Sequence, residues 1–87
     1  MKQRAIFRPV FDEYTLPVYW ASYLANGDAS GLGDGEQERI DEWCANRNVG
    51  PCVDVLDDAR FSKYNDADPY GTLAGDVCTY TFARRPR

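Results

Sequence analysis

Leu16–Leu32 reads LPVYWASYLANGDASGL, and the fold turns on how this stretch is read. Leu16, Tyr19, Trp20, Tyr23 and Leu24 recur at i, i+3, i+4, i+7 and i+8. That spacing lines one face of a helix with large apolar side chains. Val18, Ala21, Ser22 and Ala25 form a smaller second face. Thr15 is the expected N-cap, and Pro17 falls in the first turn, where its missing N–H costs nothing. Asn26-Gly27 supplies the stop, because glycine accepts the left-handed conformation of a helix C-cap. The expectation is a helix from about Leu16 to Ala25 with its five-residue face in the core.

Downstream, Asn26 to Gly35 (NGDASGLGDG) is a connector rich in Gly and Asp. A second helix is predicted from about Gly35 to Asn46, with Asp34 as N-cap and Gln37 at the capping-box position. Ile40, Trp43 and Cys44 make its narrow apolar stripe. Asn48-Val49-Gly50-Pro51 ends it. Cys52–Leu56 reads as a strand with Val53 and Val55 on one face, Asp57-Asp58 as a tight turn, and Arg60–Tyr64 as a short second strand. Asn65 to Gly71 holds turn formers. Asp76–Phe82 (DVCTYTF) alternates Cys78, Tyr80 and Phe82 against Val77, Thr79 and Thr81, the clearest strand of the chain.

Upstream, Ala5–Phe11 mixes apolar and basic residues, and Pro9 suits an edge strand or a bulge. The order is therefore β-α-α-β-β-β. The fold predicted is a single α+β domain over residues 1–87, with two helices packed on one face of a small, mostly antiparallel sheet. The first and last strands are expected to be neighbours.

Composition narrows the chemistry. The chain has no histidine, which removes Ser-His-Asp and Cys-His catalysis and most zinc sites. Its three cysteines, Cys44, Cys52 and Cys78, lack C-x-x-C spacing and are too few for a Cys-only zinc site. They read as reduced, mostly buried thiols. No apolar run approaches the ~20 residues of a membrane span. MKQRAIFRPVF is too short and too interrupted by charge to read as a signal peptide, so a bacterial cytoplasmic setting is expected.

Net charge is −4, but the distribution is uneven. Lys2, Arg4, Arg8, Arg84, Arg85 and Arg87 lie at the ends, while all 14 acids stand between Pro9 and Ala83 against Arg39, Arg47, Arg60 and Lys63. Such a body repels nucleic acid and attracts basic surfaces; ordinary solubility charge explains the same numbers.

Two constellations test the acids further. Setting Asn26 at the first position of a calcium loop brings Asp28, Ser30, Leu32, Asp34 and Gln37 to ligand positions and Gly31 to the sharp turn. The first position lacks Asp, the last lacks a bidentate Glu, and Gly33 replaces an apolar residue. A capped acidic connector explains the same residues, and a calcium-dependent module is retained only as an alternative. The pairs Asp12-Glu13, Asp41-Glu42 and Asp57-Asp58 could serve acid–base or magnesium chemistry. However, neighbouring carboxylates on a strand or helix point apart, and no nucleophile or phosphate loop accompanies them. Tyr64 and Tyr70, among Asp66 and Asp68, fit either a partner-binding loop or a cover for the sheet end.

Tyr19–Leu32 carries Tyr-Trp-Ala-x-Tyr-Leu-x-Asn-Gly-Asp-x-Ser-Gly-Leu, and Leu73–Phe82 carries Leu-Ala-Gly-Asp-x-x-x-Tyr-Thr-Phe. These segments resemble small domains encoded by bacteriophages and mobile elements. The resemblance implies no enzymatic activity and no cofactor. It implies a setting in which short acidic proteins, such as anti-CRISPR and anti-restriction inhibitors, act by binding host-defence machinery.

The functional expectation is a non-enzymatic inhibitor of a host nucleic-acid-binding defence complex, such as a CRISPR effector subunit. It would mimic DNA charge, bind no nucleic acid itself and engage no membrane. The candidate contact residues are Asp28, Asp34, Glu36, Glu38, Asp41 and Glu42, then Asp57, Asp58, Asp66, Asp68 and Tyr70. The alternative is an adaptor or regulatory module of a mobile element.

Overall fold

The computed structural model describes residues 10–68, 70 and 75–84. Its elements are β1 (Phe11–Pro17), a 3-10 turn (Val18–Trp20), α1 (Ala21–Asn26), α2 (Glu36–Arg47), β2 (Val49–Val55), β3 (Arg60–Ser62) and β4 (Gly75–Arg84). This is the predicted α+β class and element order. Every strand pair is antiparallel, and β4 is central, with β1 on one side and β2 and β3 on the other.

The decisive stretch divides differently from its periodicity. Residues 5–9 of the expected first strand lie outside the described residues, and the strand that is seen starts at Phe11. Thr15 is therefore not a helix cap but a strand residue opposite Thr79. Tyr14 and Leu16 alternate onto the core face, opposite Tyr80 and Cys78. The chain tightens into the 3-10 turn after Pro17, and only Ala21–Asn26 is α-helical. Leu16 and Trp20 are both buried, but from two different elements. Period 2 and period 3.6 coincide at such short range, which is why the helical reading extended too far upstream.

The helix stop is as expected. Gly27 has φ 72°, its N–H reaches Tyr23 O at 2.9 Å, and Asp28 N–H reaches Ser22 O at 3.2 Å. The Gly27 bond is the one that closes an αL-type helix end. The start of α2 is not as expected: Gly35, with φ 78°, occupies the N-cap, and Asp34 makes no capping bond. Asn48 ends α2 at φ 54°, a left-handed position that asparagine tolerates better than most residues.

β2 and β3 are not a hairpin. Both run antiparallel to β4 along the same edge, Val55 facing Tyr80 and Arg60 facing Val77. They are two halves of one interrupted column, and Asp57-Asp58 lies in the interruption rather than in a chain reversal. Register shifts fall between Val49 and Cys52 and between Cys52 and Asp54. Pro51 has no N–H to give in the first of these. The second sets Val53 as an extra residue, so Val53 is exposed while Val55 packs on the core. The expectation that both valines share a face fails at this bulge.

The core lies between the helices and one face of the sheet. Leu16, Trp20, Ile40, Val49, Cys78, Tyr80 and Phe82 form it, with Tyr14 and Trp43 packed against it. Trp43 meets Tyr14 edge-on at 5.2 Å between ring centroids and Trp20 at 6.0 Å. Such tilted pairs are preferred over face-to-face stacking. The Tyr80 hydroxyl donates to the carbonyls of Pro17 and Val18, pinning the corner where β1 becomes the 3-10 turn. Burial pushes its pKa far above the usual tyrosine value. Cys78 is buried and Cys44 and Cys52 are half-buried.

Candidate functional site

The acids singled out from the sequence separate into two populations. The first is turned inward. Asp66 serves the outer edge of β1: its carboxylate accepts Thr15 N–H at 2.7 Å, and its own N–H donates to Thr15 O at 2.7 Å. It thus supplies one rung of the missing neighbouring strand, where an edge would otherwise present bare backbone groups. It also accepts from the Tyr64 hydroxyl at 3.2 Å, and its carbonyl receives the Trp43 indole N–H at 3.0 Å.

Asp58 does the same for β4, inside the gap between β2 and β3. Its two oxygens accept from Thr79 N–H at 2.9 Å and Thr79 Oγ1–H at 2.8 Å, while Leu56 N–H donates to Thr79 O at 2.8 Å. Arg60 adds a 3.1 Å ion pair. The Thr79 bonds, before the Arg60 charge, hold the Asp58 carboxyl below its usual range. Asp68 is buried at 7% exposure beside Asn65. Asp28 remains exposed but folds back to accept Ser30 N–H at 3.0 Å; the Ser30 hydroxyl, then this backbone bond, lower its pKa.

The second population is turned outward, on α2. Glu38, Asp41 and Glu42 are exposed there within about one turn of one another, and Asp34 is exposed just before the helix. Ile40, Trp43 and Cys44 occupy the opposite, inner face. Two tyrosines from the preceding segment brace this helix. Tyr19 O–H donates to Glu36 at 2.9 Å, and Tyr23 O–H donates to Asp41. Tyr19 is 53% exposed and leaves the expected five-residue apolar face, whereas Tyr23 stays packed against the core while its hydroxyl reaches Asp41. Partial burial raises the Tyr19 pKa; the neighbouring Trp20 indole N–H opposes the rise and the Glu36 carboxylate adds to it. The Asp41 hydrogen bond raises Tyr23. Nothing in the sequence marks these pairs, because 17 and 18 residues separate the partners.

Glu36 carries a further partner, Arg39, at 4.0 Å. Arg84 takes Asp12 through two bonds of 2.7 and 3.1 Å, fastening β1 to β4. The hydrogen bond to Arg84 lowers the Asp12 pKa. The remaining sequence candidates lie apart from α2: Asp57 is exposed in the β2–β3 gap, and Tyr70 is exposed at 89%. Phe61, which the sequence reading did not single out, is exposed at 71% on β3 and joins Tyr64 and Tyr70 as uncovered aromatic surface.

The connector closes on itself through the Asp28 turn. Among the described residues, no three His, Cys, Asp or Glu side chains group as a metal cage. No helix of the described residues is long and apolar enough to cross a membrane. No curated protein and no solved structure matches the chain. Residues 13–82, from β1 into β4, match the family described as a domain of unknown function, DUF6926, and the chain belongs to that family.

Proposed function

We propose that this chain acts by binding rather than by catalysis, and that the outward face of α2 is its contact surface. The partner is a protein with a basic, nucleic-acid-binding groove, of the kind found in bacterial defence complexes such as CRISPR effectors, met in the bacterial cytoplasm. The face occupies the groove in place of phosphates and inhibits the complex.

The observation that carries this reading is the bracing of α2. Ion pairs between exposed side chains are weak partly because two flexible chains must be ordered. Here Tyr23 already fixes Asp41, and Glu38 and Glu42 project from a helix whose other face is anchored through Ile40 and Trp43. A pre-arranged row of carboxylates loses less freedom on binding than a loop of the same charge. Asp58, Asp66 and Asp68 are excluded from the contact set, since internal bonds or burial already engage them.

The test is capture from bacterial lysate, followed by binding measurements across salt. Neutralising Asp34, Glu38, Asp41 and Glu42 together should abolish binding, steep weakening with salt should be seen, and DNA should compete. A second reading, an adaptor gripping its partner through Phe61, Tyr64 and Tyr70, is favoured by their exposure. It expects shallow salt dependence, no DNA competition, and loss of binding in Tyr70→Ala.

A further inference from the structure

β1 is an edge strand, with β4 as its one neighbour in the sheet. Its open side is treated unevenly. The Thr15 N–H and C=O both point away from β4, since both are bonded to Asp66. Backbone groups alternate in direction along an antiparallel strand, so those of Glu13 and Phe11 point outward too. The bond from Arg84 N–H to Val10 O obeys the same alternation, with even-numbered residues serving β4. One end of the edge is closed: Pro17 has no N–H, and Asp66 fills the Thr15 rung. Among the described residues, nothing bonds the outward groups of Glu13 and Phe11. Native proteins blunt their sheet edges, because bare backbone groups template further strands. Here half of the edge is blunted and half is bare, and the bare half carries Val10 and Phe11, each about half exposed.

A second copy of the chain fits this edge poorly. Antiparallel pairing of Phe11 with the Glu13 of a copy sets Asp12 directly against its own counterpart, a like-charge pair. Pairing Glu13 with its counterpart opposes two carboxylates and brings Phe11 to the Thr15 rung that Asp66 holds. Pairing Phe11 with its counterpart brings Glu13 to Pro9, which has no N–H. The local charge asks for a cation instead. Tyr14 and Leu16 face the core, so Glu13 and Phe11 lie on the face opposite the helices. There Glu13 is exposed and, among the described residues, has no ion-pair partner. Thr81 stands opposite it on β4, and the exposed Asp54 pairs with Thr81 from β2. That row holds two carboxylates and no cation.

We propose that the Phe11–Glu13 edge takes a short extended segment of another protein as an added antiparallel strand. Main-chain bonds at the two bare rungs hold the segment, and alternate side chains select it. Lys or Arg lies opposite Glu13 and an apolar residue opposite Phe11, which in antiparallel order reads cation, any residue, apolar. This edge is separate from the outward carboxylates of α2 and does not depend on the function proposed for them.

The test is a titration of the ¹⁵N-labelled full chain with the end-blocked peptides Thr-Lys-Thr-Val-Thr and Thr-Glu-Thr-Val-Thr at millimolar concentration. The lysine peptide should shift the Phe11 and Glu13 amides saturably and slow their exchange with D2O, while the exchange of Thr15, already held by Asp66, stays unchanged. It should bind about threefold more tightly than the glutamate peptide, the scale of one exposed ion pair. Glu13→Lys should reverse that order while melting at the parent's temperature. No saturable shift at Phe11 and Glu13, equal binding of the two peptides, or the same order of binding in Glu13→Lys overturns the proposal. Slow exchange of the Phe11 and Glu13 amides in the peptide-free chain overturns it too: protection that grows with protein concentration assigns the edge to a second copy, and protection independent of concentration assigns it to the chain itself.

Discussion

The two sets of carboxylates, Asp58 and Asp66 in the sheet and Glu38, Asp41 and Glu42 on α2, share a chemistry and differ in what they meet. Asp58 and Asp66 each answer a backbone N–H that the sheet leaves without a strand, at Thr79 and at Thr15. Thr15 and Thr79 face one another across β1 and β4, so the two acids flank the same rung from opposite sides. The α2 acids are exposed to solvent, Asp41 also taking the Tyr23 hydroxyl. Negative charge in this chain is therefore partly sheet architecture and partly display, and a count of acids measures neither.

The largest effects should come from the core that separates the two sets. Trp20→Ala and Trp43→Ala are each expected to cost about 3–5 kcal/mol, as for a large buried aromatic side chain. Trp43 should not be the milder of the two despite being only half-buried, because its loss also strips Asp66 O of a donor. Urea titration of both variants checks this; a Trp43→Ala midpoint close to the parent's would detach α2 from the sheet energetically.

Asp66→Ala comes next. It leaves a partly buried Thr15 N–H without an acceptor and should cost about 1–3 kcal/mol. Amide exchange supplies the sharper reading, since Thr15 should lose protection first while Tyr14 and Leu16 stay protected by β4. If Thr15 keeps its protection, Asp66 is not the missing rung.

Asp58 sets an acid limb. Its folded pKa lies below the ordinary carboxylate value, so its contribution is fully present above that value and is lost as pH falls through it toward the folded pKa. Asp12 behaves in the same direction through Arg84. Melting temperature should fall as pH drops from about 5 to about 3, and Asp58→Asn should make that fall shallower. Parallel acid limbs for parent and variant would remove Asp58 from the account.

The smallest effect on folding belongs to the outward set. Glu38→Gln, Asp41→Asn and Glu42→Gln combined should change stability by no more than about 0.5 kcal/mol, as surface substitutions do, while removing partner binding. A large loss of stability would mean that the α2 acids are architecture too, and the contrast would collapse.

The element order, the clearest strand and the stop of α1 were legible in the sequence alone, but not that this strand is central. These rest on local chemistry: alternation in DVCTYTF, and glycine at a left-handed position in Gly27. The sequence also determined that helix and strand would bury Trp20, Ile40, Tyr80 and Phe82, since large apolar side chains at either period must face inward. Only the tertiary structure decided where β1 gives way to helix, because Leu16 and Trp20 satisfy both readings until Thr79 appears opposite Thr15. It alone joined β2 to β3 as one column instead of a hairpin, since that depends on β4, which comes later in the chain. It alone sorted the acids. Whether an aspartate faces water or a backbone N–H depends on partners as many as 51 residues away, and no local pattern encodes such a meeting.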